Sequence, residues 1–507
     1  MKKALIALLI FVFMFSVAAA QDAIKLNDFA DDAFGFSTVV PEGWTAKGNG
    51  IYARASSPTD FTLIAQQAVP LAVDKLWPSL LPQLALTDVP DSAGTYESPT
   101  LNWTLYKVDV KAGAATIAVD MALAEADGKT YIVLLQTTPD DYQALHNAVF
   151  QPTLAALAPI VEAVTDVPYQ QEEVTVPNGD VTLAGTLTLP EGDGPHPAVV
   201  LVTGSGPQDR DESLAPAAAI KPFRLIADAL TRAGIAVLRY DDRGIGKSTG
   251  DFASATTPDF ASDASAAIQY LMTRSDINPK QIGVLGHSEG GEVAAMLGAN
   301  DPHVAFIVSM AGPAVSGADV LLLQNKLIMQ AGGAGDEQIQ LQLDFLQQAF
   351  GLMEKGDTEA IQKLAEETAR QQFDMLTDEQ RKTAGSIEEA VANAQQGAAS
   401  LMTPWFKYFV NYNPGEDWAK TTVPVLALFG GKDTQVDGGQ NAPAMEAALK
   451  QAGNTDYSIV TLPDANHLFQ SATSGAPSEY GTLKQEFTAD FLPTVVDWVL
   501  KHVTVAQ

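Results

Sequence analysis

The sequence predicts an α/β fold: a mostly parallel sheet with a helical insertion, preceded by a smaller α+β domain. Three observations carry that prediction. Pro197–Val202, Ile235–Tyr240, Gln281–Leu285, Val304–Met310 and Pro424–Phe429 are apolar runs, the pattern of strands buried on both faces. Helical patterns at Phe223–Ala233 and Thr257–Thr273 alternate with them, at the spacing of right-handed crossovers between parallel strands. The hexapeptide Gly286-His287-Ser288-Glu289-Gly290-Gly291 lies between the Gln281–Leu285 strand and an Ala-rich helix pattern, Glu292–Ala299. A turn that tight is a nucleophile elbow. It forces Ser288 into a strained backbone and needs Gly286 and Gly290, where a Cβ would strike the opposite arm. The Ser288 Oγ then stands clear at a helix N-terminus, where free N–H groups and the helix dipole favour a developing oxyanion.

Composition narrows the function classes. The 507 residues are 46% hydrophobic, enough for two or three domains with cores. The chain has no cysteine, which excludes disulfides, a thiolate nucleophile, Cys-ligated metal and a lipid-modified Cys. The formal net charge is −31, and an acidic surface of that size repels nucleic acid and anionic lipid. Met1-Lys2-Lys3, the apolar run Ala4–Val17 and the small residues Ala18-Ala19-Ala20 have the order of a secretory signal peptide. Residues 1–20 are therefore expected to be cleaved before Gln21, giving a secreted or periplasmic protein. The apolar run is short for a membrane anchor, and no other stretch is long enough to span a bilayer.

Residues 21–166 read as the α+β domain. Phe34–Val40 alternates and stops at the turn Pro41-Glu42-Gly43-Trp44. Gly50–Ala55 and Phe61–Gln67 follow as strands, then a helix at Val73–Leu86. Leu101–Val110, Ala115–Ala124 and Lys129–Thr138 are longer strands, the last two joined by Asp127-Gly128. A terminal helix is expected over Asp140–Leu157. This order, with its Val-Pro-Glu-Gly-Trp turn, resembles the PsbP-like domains of exported bacterial proteins. These residues hold no Ser/His/acid set or ligand cluster, so a stabilising or docking role is expected, with Trp44, Trp77 and Trp103 in the core. Pro159–Gln171 reads as a linker.

From residue 167 to 507 the chain resembles the α/β-hydrolases, and three motifs carry the resemblance. Thr203-Gly204-Ser205-Gly206-Pro207-Gln208-Asp209-Arg210-Asp211 follows a central strand. In that family this loop supplies one oxyanion-hole N–H, which matching position assigns to Ser205, with Gly206 the alternative. Tyr240-Asp241-Asp242-Arg243-Gly244-Ile245-Gly246-Lys247-Ser248 is the family's Asp-x-Arg-Gly-x-Gly-x-Ser loop, and it lacks the spacing of a nucleotide-binding loop. The elbow is the third motif, with the Glu289 N–H as the other oxyanion donor. Together the phrases look like EstD-type esterases, the related acyl-thioester hydrolases and dienelactone-hydrolase-like enzymes.

Such chemistry needs a base for Ser288 and an acid to orient the base. Of the six histidines, His467 follows the Tyr457–Leu462 strand and so lies at the carboxyl end of the sheet. His146, His196, His303 and His502 lie elsewhere, and His287 is expected to point away into the sheet side of the turn. The acid is expected after Pro424–Phe429, where Gly430-Gly431-Lys432-Asp433-Thr434-Gln435-Val436 matches the family's Gly-x-x-Asp-x-x-Val. Asp433 is the choice, with Asp437 and Asp464 as fallbacks. About 110 residues between Ala311 and Thr422 form a Gln-, Leu- and Ala-rich helical insertion. Its position implies a cap over the site at about 312–422, with Met402, Trp405, Phe406 and Phe409 as an apolar acyl wall.

The combined expectation is an exported serine hydrolase of small carboxylic esters working through Ser288, His467 and Asp433 and an acyl-enzyme. No metal, cofactor, nucleic-acid or membrane partner is implied. A peptidase or thioesterase of the same fold, and a non-catalytic binding protein, are the alternatives. A free carboxylate at Glu289 would oppose an oxyanion, so it is expected to pair with Arg210 or Arg243 and pin the oxyanion loop to the elbow.

Overall fold

The computed structural model describes residues 24–31, 34–48, 50–54, 60–112, 115–160, 167–214, 218, 220–377, 381 and 386–505. The expected signal peptide, most of a short helix expected at Thr377–Lys382 and part of the expected linker lie outside them. The chain divides into two compact units. One comprises Met1–Val167 with Ser213–Ile220 and Gly244–Lys247; the other comprises Pro168–Glu212, Lys221–Arg243 and Ser248–Gln507.

The first unit is built on a seven-stranded antiparallel sheet. Its order is Thr45–Gly48, Ile51–Ala53, Leu63–Val69, Lys129–Thr137, Ala115–Ala126, Asn102–Ala112, Gly94–Glu97. The Lys129–Thr137 strand is buried along nearly its whole length because both its faces are covered. Ile132 and Leu134 pack with Leu76, Trp77 and Leu80 of the helix Val73–Gln83. Tyr131, Val133 and Leu135 pack with Phe34, Phe36, Leu145 and Phe150 on the other side. Trp77 and Trp103 are buried, and Trp44 packs at the edge of the second cluster. Leu26–Asp31, Thr45–Gly48 and Gly94–Glu97 are strands that the sequence does not announce. The last two are short and mostly exposed, so no apolar period marks them.

In the second unit we number the strands β1 (Gln170–Asn178), β2 (Val181–Leu189), β3 (His196–Val202), β4 (Ala236–Tyr240), β5 (Ile277–His287), β6 (Ile307–Met310), β7 (Val425–Gly430) and β8 (Tyr457–Leu462). Among the described residues they form one sheet in the order β1-β2-β4-β3-β5-β6-β7-β8. The hairpin β1–β2 is antiparallel and so is the β2–β4 pairing, while β4 through β8 are parallel. The chain leaves β3 toward β4 and then returns to the other side of β3 to form β5. The carboxyl ends of β3 and β5 therefore flank a topological switch point, where open α/β sheets place their ligands. Val202 pairs with Gly286 at that end.

Helices α1 (Pro222–Arg232), α2 (Thr257–Met272) and α3 (Glu289–Asn300) connect these strands. Helix α2 starts where Asp259 Oδ2 accepts from the backbone and hydroxyl of Thr256. Between β6 and β7 run α4 (Gly317–Ala331), α5 (Asp336–Glu354), α6 (Thr358–Asp374), α7 (Ile387–Ser400), α8 (Pro404–Asn411) and α9 (Gly415–Trp418). Their buried side chains, Phe406, Phe409 and Trp418 among them, are continuous with the core beneath the sheet. The chain ends with α10 (Gly438–Gln451), β8 and α11 (Phe491–His502).

Candidate active site

Ser288 directly follows β5 with φ 54° and ψ −116°, left-handed backbone that L side chains rarely adopt. Its N–H donates to the Met310 carbonyl at 2.9 Å, so the neighbouring strand β6 holds the strained residue. The glycines around it are obligatory. A Cβ on Gly286 would lie 1.9 Å from the Gly290 carbonyl oxygen, the clash across the turn that the sequence implies. A Cβ on Gly290 would instead meet the Val202 carbonyl oxygen of β3 at 2.1 Å, so its constraint comes from the adjacent strand rather than the opposite arm. Gly291 packs against Gly312, where a Cβ would come within 2.5 Å.

The loops after β7 and β8 bring Asp433 and His467 together. Asp433 Oδ2 lies 2.8 Å from His467 Nδ1, and both side chains are buried. The other carboxylate oxygen accepts from the N–H groups of Gln435 and Val436 at 2.7 and 2.9 Å, which fixes the acid. The two fallback acids are engaged elsewhere. Asp437 caps α10 through the Gln440 N–H, and Asp464 is an exposed partner of Lys432. The remaining histidines are also accounted for. His146 faces Asp120 in the first unit, His303 faces Asp301, His502 donates to the Trp498 carbonyl, and His196 is buried at the start of β3.

The loop after β3 passes against the elbow: a Cβ on Gly204 would stand 3.3 Å from Ser288 Cβ. The Gly204 N–H is occupied by Glu212 Oε1 at 2.9 Å, and Ser205 and Gly206 follow it in the same loop. Glu289 is the first residue of α3, where a helix N–H has no carbonyl one turn back to receive it.

Two sequence expectations are corrected here. His287 does not turn away. Its Nδ1 lies 2.7 Å from Glu212 Oε1 and its Nε2 3.0 Å from the His467 carbonyl oxygen. Its ring centroid is 4.7 Å from that of His467. Nor does Glu289 pair with an arginine. Its Oε1 accepts from Thr257 Oγ1 at 2.8 Å and from Trp405 Nε1 at 2.7 Å. Arg210 is held instead by Asp241 and Glu173, and Arg243 by Asp263 and Asp259. Arg210 thus ties its loop to β1 and to the loop after β4, and Arg243 ties that second loop to α2. Glu289, with only neutral donors and almost no solvent, has its pKa pushed by burial from 4.5 to about 7. Burial thus shifts Glu289 toward its neutral form, where an ion pair was expected.

Burial likewise pushes Asp242 and Glu292 well above the carboxylate range. Asp242, Asp263 and Glu289 line one small cavity with Thr203, Gly204 and Phe260. Both Glu292 oxygens are buried without a hydrogen-bond partner. Of the expected apolar wall, Phe406 and Phe409 lie in the core, and Trp405 stacks on Phe409 at 5.2 Å while donating to Glu289. Sequence reasoning missed Glu212 and Thr257. Glu212 follows Asp209-Arg210-Asp211, a charge run indistinguishable from a solvated loop, and only its 1% exposure singles it out.

The family model described as "Serine aminopeptidase, S33" matches residues 219–471. The chain is 26% identical over 436 residues to Esterase EstD of Thermotoga maritima, covering 85% of this chain and 87% of that protein. It is 36% identical to Thiohydrolase apmlB of Arthrinium phaeospermum over 89 residues, 17% of this chain and 29% of that one. The esterase Pf2001 of Pyrococcus furiosus overlays with a TM-score of 0.40 at 15% identity, covering 66% of this chain and 91% of that one. A mostly parallel eight-stranded sheet in this order, with a strained Gly-x-Ser-x-Gly turn after its fifth strand, gives the second unit the α/β-hydrolase fold.

Proposed function

We propose that the chain is an exported serine esterase acting on small carboxylic esters, with Ser288 as nucleophile, His467 as base and Asp433 as the acid that orients it. The observation that carries the reading is the Asp433–His467 hydrogen bond of 2.8 Å, with His467 held against the residue preceding the strained Ser288. His467 Nδ1 donates to Asp433, which leaves Nε2 with a lone pair for the Ser288 hydroxyl proton. As Oγ bonds to the ester carbonyl carbon, the proton passes to Nε2 and the Asp433 carboxylate stabilises the imidazolium. The carbonyl oxygen becomes an oxyanion held by the N–H groups of Glu289 and Ser205, each such donor being worth about 10²–10³ in rate. The tetrahedral adduct collapses as Nε2 returns its proton to the departing alkoxide, leaving an acyl-enzyme. Water then repeats the sequence with His467 as base and frees the acid. The insertion 312–422 acts as a cap, and Trp405 brings helix α8 onto the residue beside the nucleophile.

Similarity to Esterase EstD over most of the chain supports the ester reading. The aminopeptidase description of the family raises the amide alternative, which needs exposed negative charge to hold a substrate ammonium. Glu289 and Glu292, the acids nearest Ser288 on α3, are 4% and 1% exposed and are shifted toward the neutral form, which weighs against it. The test is a panel of p-nitrophenyl acetate, butyrate and octanoate beside aminoacyl-p-nitroanilides. Turnover of the short esters with little or none of the anilides is expected; faster anilide cleavage would overturn the ester assignment. Export is checked by N-terminal sequencing of the protein outside the cytoplasm, which should begin at Gln21.

A further inference from the structure

The catalytic steps give His287 and Glu212 no chemical role, yet the two form a buried pair at the centre of the site. His287 and Glu212 are 4% and 1% exposed. The His467 carbonyl can only accept, so His287 Nε2 carries a hydrogen and donates it there. His287 Nδ1 lies 2.7 Å from Glu212 Oε1, within the range of a charge-assisted bond. The same oxygen accepts the Gly204 N–H, so it faces two donors and the proton of the pair sits on Nδ1. Glu212 itself sits at φ 56°, a left-handed conformation for a residue with a side chain, held by its own N–H to the Asp209 carbonyl.

We infer that Glu212 and His287 are positioning residues: one buried carboxylate–imidazolium pair ties together the oxyanion loop, the nucleophile elbow and the histidine loop. Glu212 and Gly204 belong to the loop that carries Ser205. His287 is bonded in sequence to Ser288. The His467 carbonyl belongs to the residue that supplies the base. Displacing any of the three by about 1 Å costs on the order of 10²-fold in rate, and this pair is where all three meet. Burial alone would drive the imidazolium toward its neutral form. The Glu212 carboxylate and the His467 carbonyl more than offset it and hold His287 above its ordinary 6.5. Its titratable neighbours are Glu212 after β3, His467 after β8 and Asp433 after β7.

The inference rests on Ser288 and His467 being the reacting groups, and the experiment separates the two. Full-length wild type, His287→Gln, Glu212→Gln, Glu212→Asp and the double Gln variant are treated with a p-nitrophenyl phosphonate. The rate of Ser288 modification is read by intact mass, beside kcat and KM for p-nitrophenyl butyrate. No modification of wild-type Ser288 would defeat the underlying reading. If wild type is modified, each single Gln variant is expected to be slowed about 10–10²-fold in phosphonylation and kcat, with KM within about threefold. The double variant is expected to be no slower than the worse single one, because the pair acts as a unit. Variants that are folded and react at the wild-type rate, or losses that simply multiply in the double variant, would overturn the inference. A measurement on wild type guards against variants that fail to fold. With 15N-labelled histidine, His287 is expected to show N–H on both ring nitrogens at neutral pH, and a singly protonated His287 would contradict the pair.

Discussion

At the scale of single residues, the site depends on geometry that few substitutions tolerate. Asp433 differs from its acidic neighbours in having one oxygen on His467 and the other on two backbone N–H groups. Asp433→Asn is expected to lower kcat by about 10⁴-fold by presenting the wrong histidine tautomer. Asp437→Asn and Asp464→Asn are expected to stay within about threefold of wild type, since one caps a helix and the other is an exposed ion-pair partner. Steady-state kinetics on p-nitrophenyl butyrate makes the comparison, and a dead Asp464→Asn would move the assignment. Gly290→Ala tests the elbow through stability. Its Cβ would meet a β3 carbonyl at 2.1 Å, so a loss on the order of 3 kcal/mol or more is expected in urea unfolding. A variant with the wild-type midpoint would show that the turn yields.

The elements were legible in the sequence where burial imposes a period, and illegible where it does not. The strands β3 through β7 of the sheet are apolar because helices cover both faces, and the glycines of the elbow announce the turn between β5 and α3. The placement of Ser288, Asp433 and His467 was readable because each follows a strand at the carboxyl end of that sheet. The edge strands Thr45–Gly48 and Gly94–Glu97 carry mostly exposed side chains and left no signal. The partners of His287 and Glu289 were illegible for a different reason. Glu212, Thr257 and Trp405 reach the elbow from three separate segments, so no local spacing relates them. Helix α8 offers the sharpest test at this scale. Trp405→Phe keeps an aromatic ring on Phe409 but removes a donor from a buried carboxyl. A loss of about 1–3 kcal/mol is expected in urea unfolding, and no loss would mean that the Trp405–Glu289 bond adds nothing to the fold.

For the molecule as a whole, several buried groups link stability to pH in one direction. Glu289 ionises near 7 in the folded protein against 4.5 ordinarily, so the folded state binds the extra proton between those values. Stability therefore falls as pH rises through that window, by on the order of 3 kcal/mol from this group. Asp242 and Glu292, raised by burial, act in the same sense. The raised His287 contributes stability that is present below 6.5 and lost as pH climbs past its folded value. The net charge of −31 adds self-repulsion at the alkaline end. Urea midpoints are thus expected to be higher near pH 5.5 than near pH 8, with Glu289→Gln narrowing the difference; greater stability at pH 8 would contradict these assignments. The central claim is ester hydrolysis through Ser288, and the most direct measurement is kcat/KM of Ser288→Ala for p-nitrophenyl butyrate. A fall of about 10⁴-fold or more with an unchanged unfolding midpoint is predicted. A folded variant within tenfold of wild type would contradict it.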